Sequence, residues 1–324
     1  MLGLPSRLCA NLKALEKEFG RLEKASPARI EKARLDARIK RMSASNFLVL
    51  ARYANRVGKM LVDLQLIDTN PFSICEWTSE EEKKLQQEMG YTERVTWDDT
   101  LDTLFGTPVF QGANKDPGEP LFWIPLLGRL QGLRSEEAAQ LGPDDFGTKD
   151  GIPFMKVHAQ DENRVKADGS VRTVPVHPQL VELGLMELVA LRRRQGEPRL
   201  FPFMKRGKHR ETFTANFTKR FGYYRKTHEC YRPGMDLHAL RTSFHGDLAN
   251  SHCSDLVRRR LMGHEPQDEG ERSYTKNLKM ETLLEGLRGV HVDISRIVSP
   301  FATSAHGSSA PANRPELRLV VSGA

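Results

Sequence analysis

Apolar positions recur at three- and four-residue steps through Phe47, Leu50, Tyr53, Ala54, Val57, Leu61 and Leu64. This spacing predicts a helix over about 45–66 with those residues on its buried face. Ser43 or Ser45 can cap its start, and Asp68-Thr69-Asn70-Pro71 stops it. Upstream, residues 8–42 are rich in Lys, Arg, Glu and Ala, with little apolar stripe, and read as charged helix. Ser79 and Glu82 have capping-box spacing ahead of a short helix, and Thr96 and Asp99 repeat it before Leu101 and Leu104.

Residues 88–95 read as a polar connection and 111–120 as a loop, which places a domain boundary near 92. Beyond it, 121–130 is a buried apolar helix and 135–141 a second, short one ended by Gly142-Pro143. The period then changes. Residues 152–157 and 171–176 have strand character, and Lys166-Ala167-Asp168-Gly169-Ser170 forms a turn between them. Helices are predicted again over 178–194, 212–226, 237–250 and 255–262, with Gly263 where a C-cap glycine belongs. The fold class expected is mainly α with a small antiparallel β-sheet (α+β). Three segments are expected: a helical domain over 1–91, a catalytic domain over 92–298 and a flexible tail over 299–324, rich in Ser, Ala, Gly and Pro.

Composition narrows the function. Of 324 residues, 39% are hydrophobic and 28% charged, which suits a soluble protein with a core. No stretch reaches the roughly 18 apolar residues of a membrane helix, and the start of the chain does not read as a secretory signal. The four cysteines, at 9, 75, 230 and 253, form no Cys-x-x-Cys pair and read as reduced thiols. The net charge of +7 favours a polyanionic partner, with nucleic acid first. Of the two arginine runs, Arg192-Arg193-Arg194 reads as a solvated helix end, and Arg258-Arg259-Arg260 is evenly poised between that and a phosphate contact.

The candidate chemistry begins with Leu237-His238-Ala239-Leu240-Arg241, where helical spacing puts His238 and Arg241 on one face. Alone, the pair reads as a half-buried histidine and a solvated arginine. Gly263-His264 follows, with His264 23 residues after Arg241, and Tyr274 comes ten residues later. Upstream, Gly132-Leu133-Arg134-Ser135-Glu136-Glu137 places an arginine on a glycine turn before a helix, with Glu137 in the first turn. The spacing of His238, His245, His252, Cys253 and His264 fits no trusted zinc pattern, so no metal site is expected.

Taken in order, Gly132, Arg134 and Glu137, Lys166 in a β-turn, His238 and Arg241, Gly263 and His264, and Tyr274 resemble the motifs of the tyrosine recombinase (phage integrase) family. The resemblance covers about 96–290 and extends more loosely to 43–72, which is similar to the end of that family's helical core-DNA-binding domain. It implies an integrase-like catalytic domain preceded by a partial, truncated core-DNA-binding domain. Gln131 stands where a Thr usually precedes the Gly, and Thr242 where a second His often follows the Arg. Arg164 competes with Lys166 for the same role.

The resemblance implies a site-specific recombinase or integrase of a mobile element that cuts and rejoins DNA through a 3′-phosphotyrosyl intermediate. Tyr274 would be the nucleophile, Arg134 and Arg241 the clamp on the phosphate oxygens, and Lys166 the general acid. His238 would assist proton transfer at Tyr274, and His264 would hydrogen-bond the phosphate. It further implies double-stranded DNA with specific recombination sites as partner, a homo-tetramer on DNA, no metal or nucleotide cofactor, no membrane, and a place in the bacterial cytoplasm, at the nucleoid. Two alternatives stay open: a DNA-binding remnant of a mobile-element integrase with weak or no catalysis, and a type IB topoisomerase. The last helix, about 282–290, is expected either to dock on a neighbouring subunit through Leu283, Leu284 and Leu287 or to pack in cis.

Overall fold

The computed structural model describes residues 44–88, 95–97, 100–159, 163, 170–207, 212–264 and 278–302. The chain divides into two compact units, Met1–Glu93 and Arg94–Ala324.

In the first unit, helix α1 (Ala44–Asp63) is followed by α2 (Ser79–Glu88). Ala44, Phe47, Leu48, Ala51, Asn55 and Gly58 form the buried face of α1. This corrects the predicted face: Leu50, Tyr53, Val57 and Leu64 are exposed. The reason is close approach. The chain after the helix lies so near Gly58 that a Cβ there would collide with the Asn70 side chain. Asn70 fixes that contact by donating to Asn55 Oδ1 at 2.6 Å and accepting from the Phe72 N–H at 2.9 Å. The capping box of α2 also sits one residue earlier than expected. The Thr78 N–H donates to the Glu81 carboxylate at 2.8 Å and the Glu81 N–H donates back to Thr78 Oγ1 at 3.3 Å. Glu82 instead pairs bidentately with Arg52 of α1, at 2.9 and 2.7 Å.

The second unit is mainly helical with one three-stranded antiparallel sheet in the order β1-β2-β3. Its elements are α3 (Thr100–Phe105), α4 (Pro120–Gln131), α5 (Ser135–Gln140), β1 (Phe146–Lys149), β2 (Ile152–Val157) and β3 (Arg172–Pro175). Then follow α6 (Pro178–Glu182), α7 (Leu185–Gln195), α8 (Thr214–Thr227), α9 (Leu237–Asn250), α10 (Asp255–Met262) and α11 (Met280–Arg288). Strand β1 escaped the sequence reading because Phe-Gly-Thr-Lys is short and carries one apolar side chain. The helix predicted over 178–194 is two helices. Gly184, at φ +96°, breaks it, and a Cβ there would meet the Phe301 ring at 2.7 Å.

Helix α4 is the centre of this unit, with all twelve residues buried. Pro120 at its start needs no N–H partner, and the Glu119 carboxylate accepts from the Leu121 N–H at 3.0 Å. Pro125 lies inside the helix, where the missing hydrogen bond costs about 3 kcal/mol. Burial of Phe122, Trp123, Ile124, Leu126, Leu127 and Leu130 contributes roughly 2 kcal/mol each and outweighs that cost. α4 packs mainly on α9. α11 packs in cis, with Leu283 and Leu287 buried and the helix against α10 and β3.

The chain then straps back across the unit. Gln179 clasps Val292 through both its backbone groups, the Val298 N–H donates to Phe110 O at 2.9 Å, and Ser299 Oγ donates to Leu183 O at 2.9 Å. The start of the expected tail, through Ala302, therefore belongs to this packing, while 303–324 lies outside the described residues.

Candidate active site

Gly132 caps α4 in the left-handed conformation, at φ +65°. The Phe244 ring of α9 packs directly on it, so no side chain fits. Gln131, just before it, ties α4 to the strand that follows: its amide donates to Pro175 O at 2.9 Å and accepts from the His177 N–H at 2.9 Å. The turn thus has a fixed direction, and two residues on it carries Arg134 to the start of α5.

Glu137 is the hub of the site. It is 4% exposed, and its carboxylate accepts the Arg134 backbone N–H at 3.0 Å, as an acid three residues into a helix does. The same carboxylate takes Arg134 Nη1 at 2.6 Å and Arg172 Nη2 at 3.0 Å, and Arg241 Nη1 lies 4.0 Å away. Burial alone would raise this carboxyl, but the Arg172, Arg241 and Arg134 guanidiniums together hold it below the usual carboxylate range. Among the described residues one carboxylate therefore stands against three guanidiniums, with two positive charges in excess.

Arg241 reaches the cluster from α9, whose first turn is capped by the Asp236 carboxylate accepting from the His238 and Ala239 N–H groups, both at 2.9 Å. Its guanidinium donates to Gly132 O and, at 2.5 Å, to Met262 O. These two carbonyls end α4 and α10, so one side chain locks three helices together. Burial lowers Arg241 to about 9, and it stays charged at neutral pH. His238, three residues earlier, is exposed on the first turn of α9.

α10 ends at Gly263, at φ +62°, and the His264 N–H donates to Arg259 O at 3.0 Å. His264 is exposed, and its ring lies 6.1 Å from that of His245 on α9. Partial desolvation and the positive groups Arg241, His245, Arg134 and Arg259 push His264 down to about 4. The ring is therefore neutral at pH 7, with one N–H to donate and one nitrogen to accept.

Arg134 and Arg241 thus meet at Glu137, His264 lies within reach of both their charges, and His238 is on the same helix as Arg241. Lys166, its competitor Arg164, and Tyr274 lie outside the described residues. Sequence reasoning missed Arg172. Its signal was the alternation of β3, where Arg172 and Val174 are buried while Val171 is exposed, so that an arginine occupies a core-facing position. Arg192, expected as a solvated helix end, is also buried, paired with Asp116. Among the described residues no group of three His, Cys, Asp or Glu side chains could hold a metal ion, and no helix is long and apolar enough to cross a membrane.

No family model matches the chain, and no curated protein does. Similar solved structures include the integrase from mycobacterium phage Brujita, 15% identical, covering 89% of this chain and 89% of that one, with a TM-score of 0.42. Another is the Tn1549 transposon integrase (aa 82-397) in complex with circular intermediate DNA, 16% identical over 84% of this chain and 89% of that one, TM-score 0.47. A third is the XerH site-specific recombinase bound to palindromic difH substrate, 17% identical over 61% and 54%, TM-score 0.38. At this distance, what the molecule does is read from its own side chains.

Proposed function

We propose that this chain is a tyrosine-type DNA strand transferase that acts as a site-specific recombinase, with Tyr274 as its nucleophile. One observation carries the proposal: a cluster in which Glu137 gathers Arg134, Arg172 and Arg241, with two positive charges in excess among the described residues, beside a neutral His264. A phosphodiester carries one negative charge and gains a second on its nonbridging oxygens as it is attacked. A fixed excess of two guanidinium charges matches that change and acts before the reaction begins.

In the proposed step the Tyr274 oxygen attacks phosphorus, the bond to the 5′-oxygen breaks, and a 3′-phosphotyrosyl link forms. Arg134 and Arg241 hold the nonbridging oxygens with paired donors. His264 donates a hydrogen bond to the same phosphate. His238 accepts the Tyr274 proton, and Lys166 gives its proton to the departing 5′-oxygen. One phosphoester replaces another, so a 5′-hydroxyl of a second strand can reverse the step without a nucleotide cofactor. The unit Met1–Glu93 serves as the helical DNA-binding partner of this catalytic unit, and the active form is a tetramer on two duplexes.

The test uses duplexes selected from a random pool for binding to the full chain, then nicked so that the cleaved strand loses its 5′-hydroxyl end by diffusion. A denaturation-resistant protein–DNA adduct is expected, absent in Tyr274→Phe. Binding without an adduct overturns the enzymatic reading and favours a DNA-binding protein. Relaxation of supercoiled plasmid without a selected site favours a type IB topoisomerase.

A further inference from the structure

In the reaction just described Arg172 enters only through its charge and meets no reacting atom, yet it touches Glu137, Ser170 and the turn at Gly263. Its side chain is 0% exposed, so it does not meet DNA. Nη2 pairs with Glu137 at 3.0 Å, and through that carboxylate it faces both Arg134 and Arg241. Nη1 donates to Ser170 O at 2.8 Å, while Ser170 Oγ accepts from Arg134 Nη1 at 3.2 Å. On its other side lies the backbone of Gly263: a Cβ there would stand 2.5 Å from Arg172 Nη1 and 2.9 Å from Cζ. The Arg172 side chain thus lies directly against the turn that leads to His264. Lysine could supply the charge but not the rigid fork whose two ends serve Ser170 O and Glu137 together.

We infer that Arg172 is a positioning residue that sets the Arg134, Arg241 and His264 side chains from beneath, through Glu137, Ser170 and Gly263. This rests on the strand-transfer reading for its catalytic consequence. Without Arg172, Glu137 Oε2 keeps the Arg134 backbone N–H but loses the guanidinium 3.0 Å from it, and Arg241 stands 4.0 Å away. Arg241 is drawn toward the carboxylate and away from the carbonyls of Gly132 and Met262, which displaces the clamp without removing any group that meets DNA.

The experiment compares wild type, Arg172→Met and Arg172→Lys in single-turnover cleavage of the selected nicked duplex, with duplex affinity and Tm measured alongside. At saturating DNA, Arg172→Met is expected to cleave roughly 100-fold more slowly, as a displacement of about 1 Å does. Affinity should change by less than about threefold, because phosphate contacts that dominate binding are kept. Arg172→Lys should recover part of the rate. If Arg172→Met does not fold, Arg172→Lys decides: slowed cleavage at unchanged affinity supports the inference, and wild-type cleavage overturns it. Affinity falling in step with rate in a folded variant also overturns it. A second readout needs no turnover: inorganic phosphate should raise the Tm of wild type more than that of Arg172→Lys. Equal shifts overturn the role of Arg172 even if wild type forms adduct. Unequal shifts with no wild-type adduct overturn the strand-transfer reading alone.

Discussion

Two buried arginine environments in the second unit are built on different accounts of charge. Arg192 of α7 is 2% exposed and complete in itself: it pairs with Asp116, donates to Gln195 Oε1 at 2.8 Å, and donates through Nε to Leu200 O at 3.0 Å. One cation meets one anion, and the remaining donors meet neutral acceptors. Around Glu137 a single carboxylate serves three guanidiniums. Buried charges are ordinarily paired because leaving water is costly. Among the described residues this cluster leaves charge over beside an Arg134 side chain still 24% exposed, which is where the proposed function puts the DNA phosphate.

The largest expected effect comes from taking away the one negative charge in the unbalanced cluster. Glu137→Gln leaves three guanidiniums without a buried anion and should lower stability by about 4 kcal/mol. Added inorganic phosphate should restore part of this in urea unfolding. A variant that phosphate does not help would break the contrast with Arg192.

His177 sharpens the comparison from the neutral side. Its ring is 2% exposed, bonded to Val290 O at 2.9 Å and accepting the Gln179 N–H on Nδ1 at 3.1 Å, so its bonds suit only the neutral ring. Desolvation lowers it to about 4. Between that value and the ordinary 6.5 the unfolded chain binds a proton that the folded chain does not. Stability is therefore full above about pH 6.5 and falls as pH drops through 4, by about 3 kcal/mol at most. His177→Gln should flatten unfolding free energy measured across that window; an unchanged slope would contradict the assignment. Smaller again is Arg192→Met, expected to cost about 2 kcal/mol through lost hydrogen bonds and a partly exposed Asp116 that keeps the Gly118 N–H but loses its cation. Phosphate should not rescue it, and the residual folded protein should cleave DNA at the wild-type rate.

Much of the second unit could be read in advance because its signals are local. The α9 and α10 boundaries are set within a few residues: the Asp236 and Ser254 side chains accept the first free N–H groups, and Gly263 takes the left-handed C-cap that its place in the sequence predicted. The two-stripe helix α1 was misread because periodicity ranks faces by hydrophobicity, whereas the observed face was chosen by the close approach that Gly58 allows. Gly184 broke a predicted helix because its neighbour, Phe301, is more than a hundred residues away in sequence. The site divides in the same way. Arg134, His238, Arg241 and His264 stand in motifs, so spacing finds them. Arg172 carries a charge in a strand, and only its core-facing register reveals it. Glu137 looked like a helix-start acid and is one, but its service to three arginines depends on contacts between distant segments.

The central claim is that the surplus charge around Glu137 serves attack by Tyr274 on a DNA phosphate. Its most direct measurement is mass spectrometry of the adduct formed on the nicked duplex after nuclease and trypsin digestion. Trypsin cuts after Arg272 and Lys276, so the modified tyrosine would lie in the peptide Ser273-Tyr274-Thr275-Lys276. The account predicts a nucleotide phosphate on that peptide, at Tyr274, in wild type and none in Tyr274→Phe. A nucleotide attached to any other residue, or an adduct that survives Tyr274→Phe, would contradict it.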